Sequence, residues 1–301
     1  MGRDVADLSR AAREIYARAD DALSSPISRL CFEGPLDALT LTENTQPAII
    51  ATSMALLAGL IERMPDLPSP SFVLGHSLGE YSALVAAGAM SLEDAVRICR
   101  LRGVAMQEAV PPGLGAMAAM MGLDAAAVGA ICEQAASPDF TVAPANFNAP
   151  GQTVIAGHRV AVERAIALAA QRGGKAVLLK VSAPFHCALM RPAKERLRPA
   201  LEQVRLSALK VPVIANVNGS PNHRCEAVCE LLLRQVDGPI QWVRSVERLA
   251  QEGVTHALEI GPGRVLAGLV RRIAKGIKVL NVSDAASIDQ VRSFLDEASA
   301  Q

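Results

Sequence analysis

From Asp4 to about Met64, apolar residues recur at intervals of three and four, the period of helices that bury one face. Thr45 followed by Pro47 reads as an N-cap and first-turn signature and predicts a helix over 48–64. The rhythm then changes: 71–75 is a short apolar run after a Pro-rich loop, and a glycine-rich turn leads from it straight into a helix predicted over 78–87. Similar short runs predict strands at 211–217, 256–260 and 277–282, separated by helical stretches such as 240–252 and 264–273. Strands alternating with helices imply an α/β fold with a parallel sheet covered on both faces.

Between these segments lies a block with another rhythm. It predicts a strand at 115–122, a helix at 124–136, hairpin-linked strands at 141–146 and 151–156, a helix at 160–172 and a strand at 175–181. That β-α-β-β-α-β order is that of a ferredoxin-like unit. A small domain at 113–182 is therefore expected inside a larger α/β domain formed by 1–112 and 183–301, with a cleft between them suited to a ligand.

Composition narrows the function classes. The 301 residues carry 30 basic and 30 acidic side chains with no basic block, so neither nucleic acid nor a membrane surface is an expected partner. The apolar stretch 47–61 is short and interrupted by polar residues, and no charged and then apolar leader opens the sequence. A cytoplasmic monomer is expected. The six cysteines form no C-x-x-C pair and fit reduced thiols, and His223, Cys225 and Cys229 lack the further ligands a zinc site needs, so no metal is expected.

The chemistry concentrates in Gly75-His76-Ser77-Leu78-Gly79, a G-x-S-x-G turn between a buried strand and a helix. In this nucleophile elbow, Gly75 and Gly79 are expected to allow a sharp, closely packed bend that pushes Ser77 out at the helix N-terminus. The setting makes the large domain α/β-hydrolase-like. The Leu78 amide and the positive helix end would face the oxyanion that forms when Ser77 attacks a carbonyl. A serine hydroxyl needs a base, and five histidines are available: His76, His158, His186, His223 and His256. His186 stands where the chain returns from the small domain and could face the cleft, but position alone leaves the choice open.

Six ordered motifs extend the reading: 41–48 (LTENTQPA), 75–81 (GHSLGEY), 100–103 (RLRG), 184–186 (PFH), 239–242 (PIQW) and 259–263 (EIGPG). In these the chain resembles the malonyl-CoA:acyl carrier protein transacylase family, which includes the acyltransferase domains of fatty-acid and polyketide synthases. The resemblance implies transfer of malonyl from malonyl-CoA to acyl carrier protein, with Ser77 as the acylated nucleophile and His186 as its base. It implies that Arg102 holds the malonyl carboxylate, that the main-chain carbonyl of Gln241 orients His186, and that Asn146 and Gln46 line the cleft. Phe185 resembles the bulky residue of malonyl-selective members. No cofactor is implied.

Without the resemblance, Arg102 would read as a solvated arginine paired with Glu108 or Asp94. Gly261-Pro262-Gly263 lacks a full phosphate-loop signature and reads as a structural turn. Members of the family begin with an apolar strand and a G-Q-G-S-Q loop that precede a segment like 1–4; an open sheet edge and a missing oxyanion donor are expected if the chain truly starts at Met1, and a start assigned too far downstream is the simpler explanation. Two other readings remain: an acyl hydrolase using the same Ser-His pair with water as acceptor, and a noncatalytic carrier-protein docking module.

Overall fold

The computed structural model describes residues 1–299. At its centre is the helix Thr42–Arg63, in which Ala48, Ile50, Ala51, Ala55, Leu56 and Leu60 are buried on every side. It is long and apolar enough to cross a membrane, yet two thirds of its most apolar window (67%) is buried inside the fold, which makes it a core helix. It starts at Thr42, six residues before the predicted start at 48. Leu41 accepts from the amides of Asn44 and Thr45, while the Thr45 hydroxyl donates to the Leu39 carbonyl and caps nothing. Pro47 stays within the helix, where it removes one intrahelical N–H donor.

The helix Leu92–Glu108 packs against it at Gly103. A Cβ at Gly103 would stand 2.6 Å from Glu43 Cα and 2.7 Å from the Thr42 carbonyl oxygen, both backbone atoms that cannot swing aside. Gly103→Ala should therefore lower stability by about 1–3 kcal/mol, read as a shifted urea midpoint, because the helices must separate to admit the methyl. An unchanged midpoint would mean that the contact is not tight.

The predicted β-α-β-β-α-β block is present: β1 Gly115–Met121, the helix Ala125–Ala135, β2 Val142–Ala149, β3 Gln152–His158, the helix Arg159–Gln171 and β4 Lys175–Leu178. Asp124 caps the first helix through its side chain, which accepts from the Ala127 amide. The four strands form one sheet in the order β2-β3-β1-β4, with every neighbouring pair antiparallel. Met120 and Ile155 of the sheet pack on Ile131 and Val162 of the helices, in an apolar cluster separate from the one around Thr42–Arg63. The outer strand β2 is stitched to the rest of the chain, with Ile240 N–H donating to Ala145 and Phe147 N–H to Ile240.

Elsewhere the strands are shorter and more fragmented than an unbroken parallel sheet. The run 71–75 contributes one parallel bridge, Val73 to Val213. β5 Val213–Ala215 turns back on β6 Ser220–Asn222 as an antiparallel pair. β7 His256–Ile260 and β8 Lys278–Val282 form a separate parallel pair, and every residue of β7 is partly exposed. The physical reason is pairing: apolar runs mark where strands can form, but among the described residues the 71–75 run and the open edge of β7 find no ladder partner beyond these contacts.

Between β7 and the helix Val265–Ile273 lies the 261–263 turn. The Glu259 carboxylate accepts from the Leu266 and Ala267 amides, so the strand itself satisfies the helix start and the turn is structural.

Candidate active site

The chain leaves the Val73 bridge, bends at Gly75 and enters the helix Gly79–Ala86. A Cβ on Gly75 would lie 2.1 Å from the Gly79 carbonyl oxygen, so only glycine fits there. Gly79 departs from expectation: nothing lies within 4 Å of a Cβ built on it, so a side chain would find open space there. The strain falls on Ser77, whose φ of 53° is left-handed, a conformation costly for a residue with a side chain. Asn216 holds it there. Fully buried, it accepts the Ser77 amide at 2.7 Å through Oδ1 and donates from Nδ2 to the Gly75 carbonyl at 2.8 Å.

Ser77 Oγ lies 2.7 Å from His186 Nε2. His186 is likewise left-handed, with φ 60°, and 4% exposed. Its Nδ1 is 2.8 Å from the Gln235 carbonyl, which can only accept, so Nδ1 carries the proton and Nε2 is free to accept from the serine hydroxyl. Burial, the nearby Arg102 charge and His76 together push His186 down to about 3, against the hydrogen bond to Gln235, which raises it. The imidazole is thus neutral near pH 7.

The carbonyl that orients His186 belongs to Gln235 and not to Gln241. Gln241 caps the helix Trp242–Gln251, and its carbonyl accepts from Ser245 N–H and Ser245 Oγ. Gln235 stands in the last turn of the helix Val228–Asp237, and the residue four places on is Pro239, which has no N–H. Its carbonyl is consequently left for the imidazole. One signal was readable beforehand: Gln235 is a polar residue on the same buried stripe as Val228 and Leu232.

Arg102 occupies a similar place on the stripe of Ala95, Cys99 and Met106, and is 2% exposed. It does not reach Glu108 or Asp94, which pair with Arg196 and Arg97. Its Nη1 donates to Gln46 Oε1 at 2.8 Å, and its Nη2 donates to Ser77 Oγ at 2.9 Å and Gln235 Oε1 at 3.0 Å. All three acceptors are uncharged and Nε has no partner, so a buried cation beside the serine lacks a contacting anion among the described residues. Gln235 Nε2 donates in turn to the Ser77 carbonyl and to Glu80, completing a network that sequence motifs alone did not connect.

The remaining candidates flank this centre. Asn146, 6% exposed, is bridged to Ile240 in β2, and half-buried Phe185 packs between the main apolar cluster and a smaller one behind the four-stranded sheet. Leu78 precedes the helix Gly79–Ala86, and no acceptor takes its N–H among the described residues. The other histidines are engaged elsewhere or exposed: His76 Nε2 with Asn148 Oδ1, His158 Nδ1 with Thr141, His256 beside Thr255, and His223 on the surface.

An elbow serine, a neutral imidazole held by a carbonyl and a buried guanidinium are an arrangement suited to acyl transfer. A family model described as Acyl transferase domain matches residues 1–296, and the chain belongs to that family. It is 44% identical over 283 residues to the malonyl CoA-acyl carrier protein transacylase of Haemophilus influenzae, covering 94% of this chain and 90% of that protein. The protein of the same name from Bacillus subtilis is 43% identical over 298 residues, 99% of this chain and 93% of its own. Among solved structures, malonyl CoA-acyl carrier protein transacylase from Clostridium perfringens superposes with a TM-score of 0.94 at 39% identity, covering 100% of this chain and 94% of that one. A type II PKS acyl-carrier protein in complex with its malonyl-transacylase matches with a TM-score of 0.92 at 40% identity, over 97% of this chain and 94% of that one.

Proposed function

We propose that this protein moves a malonyl group from malonyl-CoA to the pantetheine thiol of acyl carrier protein through a malonyl ester of Ser77, serving fatty-acid or polyketide synthesis. The observation that carries the reading is the buried Arg102 guanidinium, which touches Ser77 Oγ and has only neutral partners. A guanidinium binds a carboxylate through two parallel charge-assisted hydrogen bonds, so it favours an acyl group that ends in a second acid.

In the first half-reaction Ser77 Oγ attacks the thioester carbonyl while His186 Nε2 takes its proton. The tetrahedral oxyanion faces the Leu78 N–H and the start of the helix Gly79–Ala86. As the C–S bond breaks, His186 returns the proton to the departing CoA thiolate. The carrier thiol then gives its proton to His186, attacks the ester and releases Ser77 in its starting state. Bond for bond, the sequence exchanges one thioester for another and requires neither metal nor redox cofactor. Gln46 and Gln235 hold the Arg102 guanidinium, the Gln235 carbonyl holds the His186 tautomer, and Phe185 and Asn146 line the acyl site.

The reading extends to architecture. Residues 113–182 form a ferredoxin-like small domain, supported by the all-antiparallel order β2-β3-β1-β4 and its own apolar cluster. They are set into an α/β-hydrolase-like catalytic domain of 1–112 and 183–301, and the enzyme works as a cytoplasmic monomer.

Intact-mass spectrometry after mixing with malonyl-CoA is the test. A malonyl adduct is expected on the wild-type protein and none on Ser77→Ala. A folded wild-type protein that takes up no label would leave only a docking module. Label released as free malonate at the same rate with and without carrier protein would make the enzyme a hydrolase.

A further inference from the structure

Glu80 follows the first residue of the helix Gly79–Ala86 and is 3% exposed. Among the described residues it forms no ion pair. Its Oε2 instead accepts from Gln235 Nε2 at 2.8 Å and from the Asn216 amide at 3.1 Å. Burial pushes Glu80 up to about 7, and its two hydrogen bonds and the Arg102 charge pull the other way. Such a residue costs stability when ionised. Its place beside the acyl site calls for a reason.

We infer that Glu80 is a positioning residue for Arg102, acting through the side-chain amide of Gln235. This rests on the malonyl-transfer reading above and adds a member to that site. The Gln235 amide has two unlike ends, and the network decides which faces where. Nε2 donates to Glu80 and, at 2.9 Å, to the Ser77 carbonyl, which leaves Oε1 to accept from Arg102 Nη2 at 3.0 Å. A flipped amide would set an NH2 against the guanidinium and an oxygen against two acceptors, a repulsive contact at every bond. The carboxylate therefore fixes the amide, and the amide oxygen with Gln46 Oε1 fixes the fork of Arg102 beside Ser77.

The separation of Glu80 from the cation matters too. A carboxylate in direct contact with Arg102 would neutralise it and compete with an acidic acyl group. One neutral amide away, it offsets part of the cost of burying the cation while leaving the guanidinium available to a substrate carboxylate.

The test compares rates of acyl-serine formation from malonyl-CoA and acetyl-CoA by quenched intact-mass measurements, with thermal melting of every variant. Glu80→Leu removes the acceptor and should lower the malonyl-to-acetyl ratio of kcat/KM by about tenfold, as expected for losing a charge-assisted hydrogen bond that acts on one substrate only. Glu80→Gln can keep an oxygen facing Gln235 and should recover most of the ratio. If Glu80→Leu does not fold, Gln235→Leu makes the same comparison, since it retains the main-chain carbonyl on His186 and should lower the ratio likewise. Equal losses for both acyl groups would reduce Glu80 to scaffolding and overturn the inference. Failure of the wild-type protein to accept malonyl at all would instead sink the reading on which it rests, a separate result.

Discussion

Replacing His186 with alanine should slow acylation of Ser77 by a factor on the order of 10³–10⁴, with the fold intact. Nε2 stands 2.7 Å from Ser77 Oγ, and the proton on Nδ1 is committed to the Gln235 carbonyl, so no other tautomer is available. Removing the ring leaves a hydroxyl that donates to no base and accepts from Arg102, a contact that disfavours attack. His76 cannot substitute, because its Nε2 is engaged by Asn148 Oδ1 at 2.9 Å. In overall transfer, read as malonyl-carrier protein formed, the double variant Ser77→Ala/His186→Ala should be no slower than Ser77→Ala, since the two side chains act as one unit. Rapid-quench mass spectrometry would measure both; a loss below about tenfold for His186→Ala would mean that the proton leaves by another route.

The depressed basicity of His186 fixes the sign of its pH response. The reaction needs the neutral ring, and a group pushed down to about 3 stays neutral through mild acid. For the free enzyme, kcat/KM should stay flat from pH 8 to about pH 5, where a histidine at its ordinary value would already have cost most of the rate. Glu80 acts on stability in the opposite sense. Raised to about 7 from 4.5, it binds a proton more tightly folded than unfolded. The Glu80 contribution to stability should therefore fall as pH rises from about 4.5 to 7, by at most roughly 3 kcal/mol, while the depressed His186 works in the other direction, so the contribution is read as the difference between wild type and Glu80→Gln in urea titrations across that range.

How much of this was readable from the residues depends on the distance over which each feature is decided. The β1–β4 block was legible in order and to within three residues at every boundary, because alternation and helical periods are local and Asp124 marks a helix start. Ser77 was legible because a turn motif carries its own geometry. The larger sheet was not, since the pairing of Val73 with Val213 and the turn of β5 onto β6 are settled between segments far apart in the chain. A main-chain carbonyl was expected to orient His186, but it belongs to Gln235 and not Gln241, because the missing N–H of Pro239 leaves the Gln235 carbonyl free. Gln235, Arg102 and Asn216 share one trait: each is a polar residue where the local pattern calls for an apolar one. In this fold those exceptions gather around one hydroxyl.

Arg102→Ala should lower kcat/KM for malonyl-CoA by about 10²–10³ while changing that for acetyl-CoA by less than about tenfold, a reversal of preference worth about 3–4 kcal/mol for two charge-assisted hydrogen bonds. The cation contributes nothing specific to an acetyl group. Its loss even removes a competing donor from Ser77 Oγ, at 2.9 Å. It also lifts one of the two charges that depress His186, so the acid limb of the variant should move up in pH. A bound malonyl carboxylate should act on the wild-type enzyme in the same direction, placing the limb of kcat for malonyl-CoA above that of kcat/KM. Arg102→Lys should recover only a small part of the malonyl rate, because an ammonium cannot span both Gln46 and Gln235 and still grip a carboxylate with two parallel bonds. Equal losses for malonyl and acetyl groups in Arg102→Ala would make the arginine an organiser of Ser77 alone, and the selection of a second acid would have to be sought elsewhere in the cleft.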